Sequence, residues 1–252
     1  MTRKDSRQDD ELRPITIETG VLKFPEGSAL IRCGDTHVLC AASIDENVPE
    51  FLRGSGKGWT TAEYAMHPRA TPRREQRDSR RGGVPGRSQE IQRLIGRALR
   101  AVVVLGKLGE RTVALDCDVL QADGGTRTAA ITGAWVALAI ALGRAREKGL
   151  VKHPVLRDSV AATSVGLVGD RVLLDLAYTE DSAARVDMNV VQTGGGMLVE
   201  VQGTAEADPF PRRLLDQMLD AAATGIETLT RVQRSAVEAA GVDLSPLLEQ
   251  RR

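Results

Sequence analysis

Apolar positions along the chain follow two periods, and together they predict an α+β fold. With a period of two, Ile15, Ile17 and Thr19 alternate with polar residues and read as a strand. Residues 28–33 and 36–44 are two more β-rich runs, joined by Gly34-Asp35, a glycine-led two-residue hairpin loop. Residues 160–168 and 171–178 repeat the device around Gly169-Asp170. Further strands are predicted over 59–66, behind the flexible turn Gly54-Ser55-Gly56-Lys57-Gly58, and over 112–120. Residues 186–192 and 197–202 make another hairpin around Gly194-Gly195-Gly196.

The second period is helical. Ile91, Leu94, Ile95, Ala98, Leu99 and Val102 form one stripe on a helix that begins near Arg87-Ser88. Pro209-Phe210-Pro211 introduces a long helix striped by Leu214, Leu215, Met218, Leu219, Ala222, Ile226, Leu229 and Val232. Residues 129–142 are small or apolar on every side, which predicts a buried helix. Two similar hairpins, each followed by a longer connection and a helix, predict duplicated β-α units. Mixed sheets would pack with helices in a single domain over 1–252, flanked by a charged arm (1–13) and a polar, frayed tail (243–252).

Composition narrows this picture. A hydrophobic content of 42% supports a real core, and 3% aromatics means aliphatic side chains must fill it. The formal net charge is zero, so any affinity for nucleic acid must come from local clustering. Cys33, Cys40 and Cys117 lack metal-ligand spacing and read as free buried thiols of a reducing cytosol, which makes the cytoplasm the expected location. The charged N-terminus has no apolar signal region, and the longest apolar run (134–142) is too short to span a bilayer, so no membrane partner is expected.

Candidate chemistry centres on Gln121-Ala122-Asp123-Gly124-Gly125-Thr126-Arg127-Thr128, between a strand and the buried helix. A buried helix start offers unpaired N–H groups and a positive dipole end. Gly124 and Gly125 let the backbone approach a ligand, and Arg127 adds a planar fork of donors. The segment is an anion site with phosphate the favoured anion, or else a glycine turn with a solvated arginine. It is not a Walker A loop, since the lysine and spacing are absent. Between Arg69 and Arg100 stand ten arginines against Glu75, Asp78 and Glu90, a local excess of seven positive charges. Arginine without lysine suits bidentate phosphate contacts and stacking on bases, so this loop is a candidate for nucleic acid. Arg87 could serve the same anion as Arg127 if the two helix starts converge. Asp181 and Asp187 would lie about 20 Å apart on one straight strand at ~3.3 Å per residue. With a turn between them they could share Mg²⁺; without one they are ordinary loop aspartates. Asp116, Asp118 and Asp175 are further acids of lower rank.

Long stretches of the chain resemble the ribonuclease PH family of phosphorolytic exoribonucleases. They include Gly34-Asp35-Thr36-His37-Val38-Leu39-Cys40, Gly58-Trp59-Thr60-Thr61-Ala62-Glu63-Tyr64 and Glu90-Ile91-Gln92-Arg93-Leu94-Ile95. They continue through Leu115 to Thr128, Glu180-Asp181-Ser182-Ala183-Ala184, Asp187-Met188-Asn189 and Glu200-Val201-Gln202-Gly203-Thr204-Ala205-Glu206. Asp5-Ser6-Arg7 departs from the family's usual Asp-Gly-Arg, and Val84-Pro85-Gly86-Arg87-Ser88 from its Gly-Gly-Arg-Thr. The resemblance implies duplicated β-α-β units and a homohexamer built as a trimer of dimers. It implies an enzyme that trims the 3′ end of precursor tRNA with inorganic phosphate, releasing nucleoside diphosphates. Arg87, Gly125, Thr126 and Arg127 would bind the phosphate. Asp181 and Asp187 would carry Mg²⁺ or acid catalysis, and Arg69, Arg73, Arg74 and Arg77 would grip RNA. The other classes to weigh are a non-catalytic RNA-binding ring subunit of exosome type and a Mg²⁺-dependent hydrolytic nuclease.

Overall fold

Gly34 and Asp35 turn the chain so that β1 (Ile15–Thr19), β2 (Gly27–Cys33) and β3 (Thr36–Asp45) run as an antiparallel meander. This is a computed structural model, and it describes residues 3–77, 80, 82–206 and 208–250. Met1 and Thr2 of the arm, Asp78 and Arg81 of the arginine-rich stretch, and the last two residues of the tail lie outside the described residues.

From β4 (Trp59–Met66) the chain crosses over through α1 (Gly86–Val102) and α2 (Leu105–Leu108) to β5 (Thr112–Gln121). A helical crossover is what a parallel pair needs, and β4 and β5 pair parallel in a sheet ordered β1-β2-β3-β5-β4. Val113, Leu115, Cys117 and Val119 of β5 face inward, while Asp116 and Asp118 face outward, Asp116 opposite Glu63 of β4. The apolar stripe of α1 is buried from Ile91 to Val102. α3 (Thr126–Glu147) lies across β2 and β3 and is buried at nearly every position, as its all-round apolar sequence requires. By length and composition it could cross a membrane, but here it is the core helix of the fold.

The second sheet runs β7-β6-β8-β9, from β6 (Val160–Val168), β7 (Arg171–Leu174), β8 (Val186–Thr193) and β9 (Leu198–Ala205), all antiparallel. A one-turn helix, α4 (Tyr178–Asp181), interrupts the path from β7 to β8. The closing helix α5 (Arg212–Ala239) packs its stripe of Met218, Ala222, Ile226 and Leu229 on this sheet. β6 is almost wholly buried because α3 and α5 both pack on it. It therefore joins the two sheets into one body.

Two expectations change. The strand predicted over 171–178 stops at Leu174, because Asp175 adopts a left-handed backbone (φ 54°) that breaks the ladder. Asp175 is therefore not a strand acid. The polar tail is docked rather than frayed. Leu244 and Leu247 are buried, and the Glu249 amide donates to the Leu156 carbonyl at 2.8 Å. The charged arm is likewise part of the interior, with Arg3, Arg7 and Arg13 all buried. The three cysteines are free and buried, as expected.

Candidate active site

Arg127 is the second residue of α3, and Arg87 is the second residue of α1. Both helices begin without a side-chain cap, on Gly125 and Pro85 respectively. A cation in the first turn opposes the helix dipole, so the sequence places charge where only an incoming anion makes it favourable.

The loop into α3 is shaped by its two glycines. Gly124 and Gly125 have φ of 78° and 66°, the left-handed region. A Cβ on Gly124 would stand 2.5 Å from the Leu176 carbonyl oxygen, so only glycine fits. Thr36 Oγ1 donates to the Gly124 carbonyl at 2.7 Å and accepts from the Asp123 amide at 2.9 Å. The Thr126 hydroxyl is hydrogen-bonded to the Tyr64 hydroxyl at 2.8 Å. Burial pushes the Tyr64 phenol up from its ordinary value, against the bond to Thr126 and the fields of Arg87 and Arg127. Arg127 Nη1 donates to Gln202 Oε1 of β9 at 3.0 Å and lies 3.6 Å from Glu90 Oε1. Gln202 in turn donates to Glu90 at 3.2 Å and Glu200 at 2.9 Å.

The turn anticipated between the two aspartates is present. α4 ends on Asp181, residues 182–184 turn, and β8 brings up Asp187. Burial raises the Asp181 carboxyl, against the fields of Arg87 and Arg127. Burial also raises Asp187, to about 6, with the Asp181 charge adding to it and Arg127 and Arg87 opposing. Each aspartate thus feels both arginines, and Asp187 feels Asp181, so the four side chains share one electrostatic site. Asp187 Oδ1 is buried and has no hydrogen-bond partner among the described residues. A buried carboxylate oxygen without a partner is costly unless a ligand meets it.

The arginine loop leaves from the rim of this site. Its base is pinned where the Ala122 amide donates to the carbonyl of buried Ala70 at 2.9 Å. Arg69, Arg73, Arg74 and Arg77 are exposed along it. Asp116 and Asp118 stand on the outward face of the first sheet. Asp175 is a buried partner of Arg13 rather than a site acid. Tyr64 and Gln202, which touch Thr126 and Arg127, were not singled out from the sequence. Alternation in β4 and β9 could have shown which way each points, but not toward what.

The chain matches the family model of the 3′ exoribonuclease family, domain 1, over residues 11–142 and domain 2 over residues 158–225. It is 59% identical over 237 residues to ribonuclease PH of Moorella thermoacetica, covering 94% of this chain and 95% of that protein. It is 56% identical over 236 residues to ribonuclease PH of Bacillus velezensis, covering 93% and 96%. Among solved structures, rice Rrp46 matches with a TM-score of 0.77 at 18% identity, covering 94% of this chain and all of that one. A chain of the Archaeoglobus fulgidus exosome with RNA bound to the active site matches with a TM-score of 0.75 at 25% identity, covering 91% and 92%.

Proposed function

The chain belongs to the 3′ exoribonuclease family, and on that premise we propose that it shortens the 3′ end of precursor tRNA by phosphorolysis at the site just described. An oxygen of inorganic phosphate bonds to the phosphorus of the last linkage. The bond from that phosphorus to the neighbouring 3′ oxygen breaks, that oxygen takes a proton, and a nucleoside diphosphate leaves. The reaction brings one anion onto another, so the protein's main task is charge neutralisation and positioning.

Arg87, Arg127 and the amides from Gly125 and Thr126 hold the attacking phosphate. The Tyr64 hydroxyl fixes Thr126, and Gln202 holds the Arg127 fork on its line. Arg69, Arg73, Arg74 and Arg77 grip the RNA backbone entering over the rim. Asp181 and Asp187 suit Mg²⁺. Two carboxylates that leave room for waters and phosphate oxygens are the donor set this ion takes, and the partnerless Oδ1 of Asp187 is the oxygen it would satisfy. Among the described residues no larger group of metal-ligating side chains is present. When bound, the ion neutralises charge on the scissile phosphate and the leaving oxygen. Six copies as a trimer of dimers complete the proposal, supported by the apolar side chains Met197, Leu198 and Val201 left exposed on and beside β9.

The observation that carries this reading is the buried, partnerless Oδ1 of Asp187, on a strand whose neighbour β9 also holds Arg127 through Gln202. A scaffold has no use for such a site, and a hydrolase has no use for an arginine cradle facing water. Arg127→Ala should abolish phosphate-dependent release while RNA binding persists. Loss of RNA binding in parallel would mean the anion site is misassigned.

A further inference from the structure

The N-terminal arm spends three buried arginines on two short segments. Arg13 Nε and Nη2 donate to the two oxygens of Asp175 at 3.0 and 2.7 Å, and the Arg13 amide donates to Asp175 Oδ2 at 2.8 Å. Its remaining donors reach into the loop before α3, with Nη1 to the Asp123 carbonyl at 2.6 Å and Nη2 to the Gly124 carbonyl at 3.4 Å. Arg3 grips Glu180 in the same forked way, at 2.8 and 2.7 Å, and donates to the Leu174 and Asp175 carbonyls at 2.9 and 3.0 Å. Arg7 adds bonds to the Asp175 carbonyl at 3.2 Å. Asp175 itself sits in the left-handed region, a strain that persists only where surroundings hold it.

These contacts have a direction. In a planar trans peptide the C=O and the following N–H point opposite ways. With the Asp123 and Gly124 carbonyls held toward Arg13, the Gly124 and Gly125 amides point away from it, so the guanidinium fixes the orientation of both peptides in the loop that leads into α3. On the other side, Glu180 immediately precedes Asp181. Its carboxylate also accepts the Ala177 amide at 3.0 Å, so the Arg3 fork fixes the single turn of α4. A one-turn helix has no cooperativity of its own to hold its last residue in place.

We propose that Arg13 and Arg3 are positioning residues, one for each half of the active site: Arg13, held by Asp175, aims the phosphate loop, and Arg3, held by Glu180, sets Asp181. The proposal rests on the phosphorolytic reading above and adds the arm to its machinery. Lysine keeps the charge but cannot make the forked contact, so Arg13→Lys and Arg3→Lys isolate geometry from charge. Steady-state kinetics on a short RNA with Mg²⁺ and varied phosphate give the readout. It is taken at a temperature where circular dichroism of each variant matches the parent.

Arg13→Lys should raise the KM for phosphate about tenfold or more, with kcat and the KM for RNA within about threefold. Arg3→Lys should lower kcat about tenfold or more, with the phosphate KM within about threefold. Asp175→Asn and Glu180→Gln should reproduce the respective patterns, and they decide the matter if a lysine variant does not fold. Equal losses in all parameters, or reduced thermal stability with unchanged kinetics, would reduce the arm to a structural brace and overturn the proposal. A parent protein that releases nucleotides without phosphate would overturn the functional reading itself. A missing split in a parent that is phosphorolytic sinks the inference about the arm alone.

Discussion

Replacing Asp187 by asparagine should make the protein more stable while making it less active. The carboxyl is raised from an ordinary 3.8 to about 6, by burial first and then by the charge of Asp181. At 1.36 kcal/mol per pH unit that interval is worth about 3 kcal/mol. The group is still partly open to water, and screening reduces this to about 1–2 kcal/mol. The sign follows from proton uptake. Between about pH 4 and pH 6 the folded state holds more of this proton than the unfolded chain, so stability falls as pH rises. The penalty is absent below the unfolded value near 4 and fully present above 6. Asparagine keeps the shape and removes the charge. Thermal unfolding at pH 7.5 with a chelator and fixed protein concentration should therefore show Asp187→Asn about 1–2 kcal/mol more stable, roughly 2–8 °C in Tm for a chain of this size. At pH 4 the two proteins should unfold together, and turnover at pH 7.5 should be lost. A variant no more stable than the parent at pH 7.5, or equally favoured at both pH values, would refute the argument that this carboxylate is a ligand site held at a cost.

Other perturbations probe separate parts of the account. Gly124→Ala meets both a left-handed backbone and the Leu176 carbonyl 2.5 Å away, so it should cost at least about 2 kcal/mol in urea unfolding and remove phosphate-dependent activity; unchanged unfolding would contradict the loop geometry. Ser6 occupies φ 64°, so Ser6→Gly should be neutral to stabilising by up to about 1 kcal/mol, against the usual effect of glycine; clear destabilisation would mean the arm is built differently. Replacing Arg73, Arg74 and Arg77 together by glutamine should weaken RNA binding and reduce its log–log salt slope by about 2; an unchanged slope would make the loop a solvated surface.

The sequence was most informative where a pattern is local. An all-round apolar run predicts a buried helix, and α3 is one. Gly34-Asp35 and Gly169-Asp170 turn as hairpins because two-residue, glycine-led loops match strand twist. The stripes of α1 and α5 mark their buried faces directly. What stayed hidden was long-range. Nothing in β4 or β5 announces that they pair in parallel across a helical crossover. The arm was legible only as charged, because burial of Arg3 and Arg13 depends on partners more than a hundred residues away, Glu180 and Asp175. The same partnership stops β7 at Leu174, which no strand propensity could foretell. The tail over 243–252 read as polar and frayed, yet Leu244 and Leu247 are part of the same core as the α3 side chains. The four residues of the proposed site, Arg87, Arg127, Asp181 and Asp187, were visible as types and spacings. Their convergence depended on the packing of two sheets through α3, α5 and β6.

The identity of the released nucleotide separates phosphorolysis from hydrolysis. A short RNA carrying its label in the 3′-terminal nucleotide is incubated with the protein and Mg²⁺, with and without inorganic phosphate. Phosphorolysis should yield labelled nucleoside diphosphate, formed only when phosphate is present. Labelled nucleoside monophosphate, formed without phosphate, would contradict it.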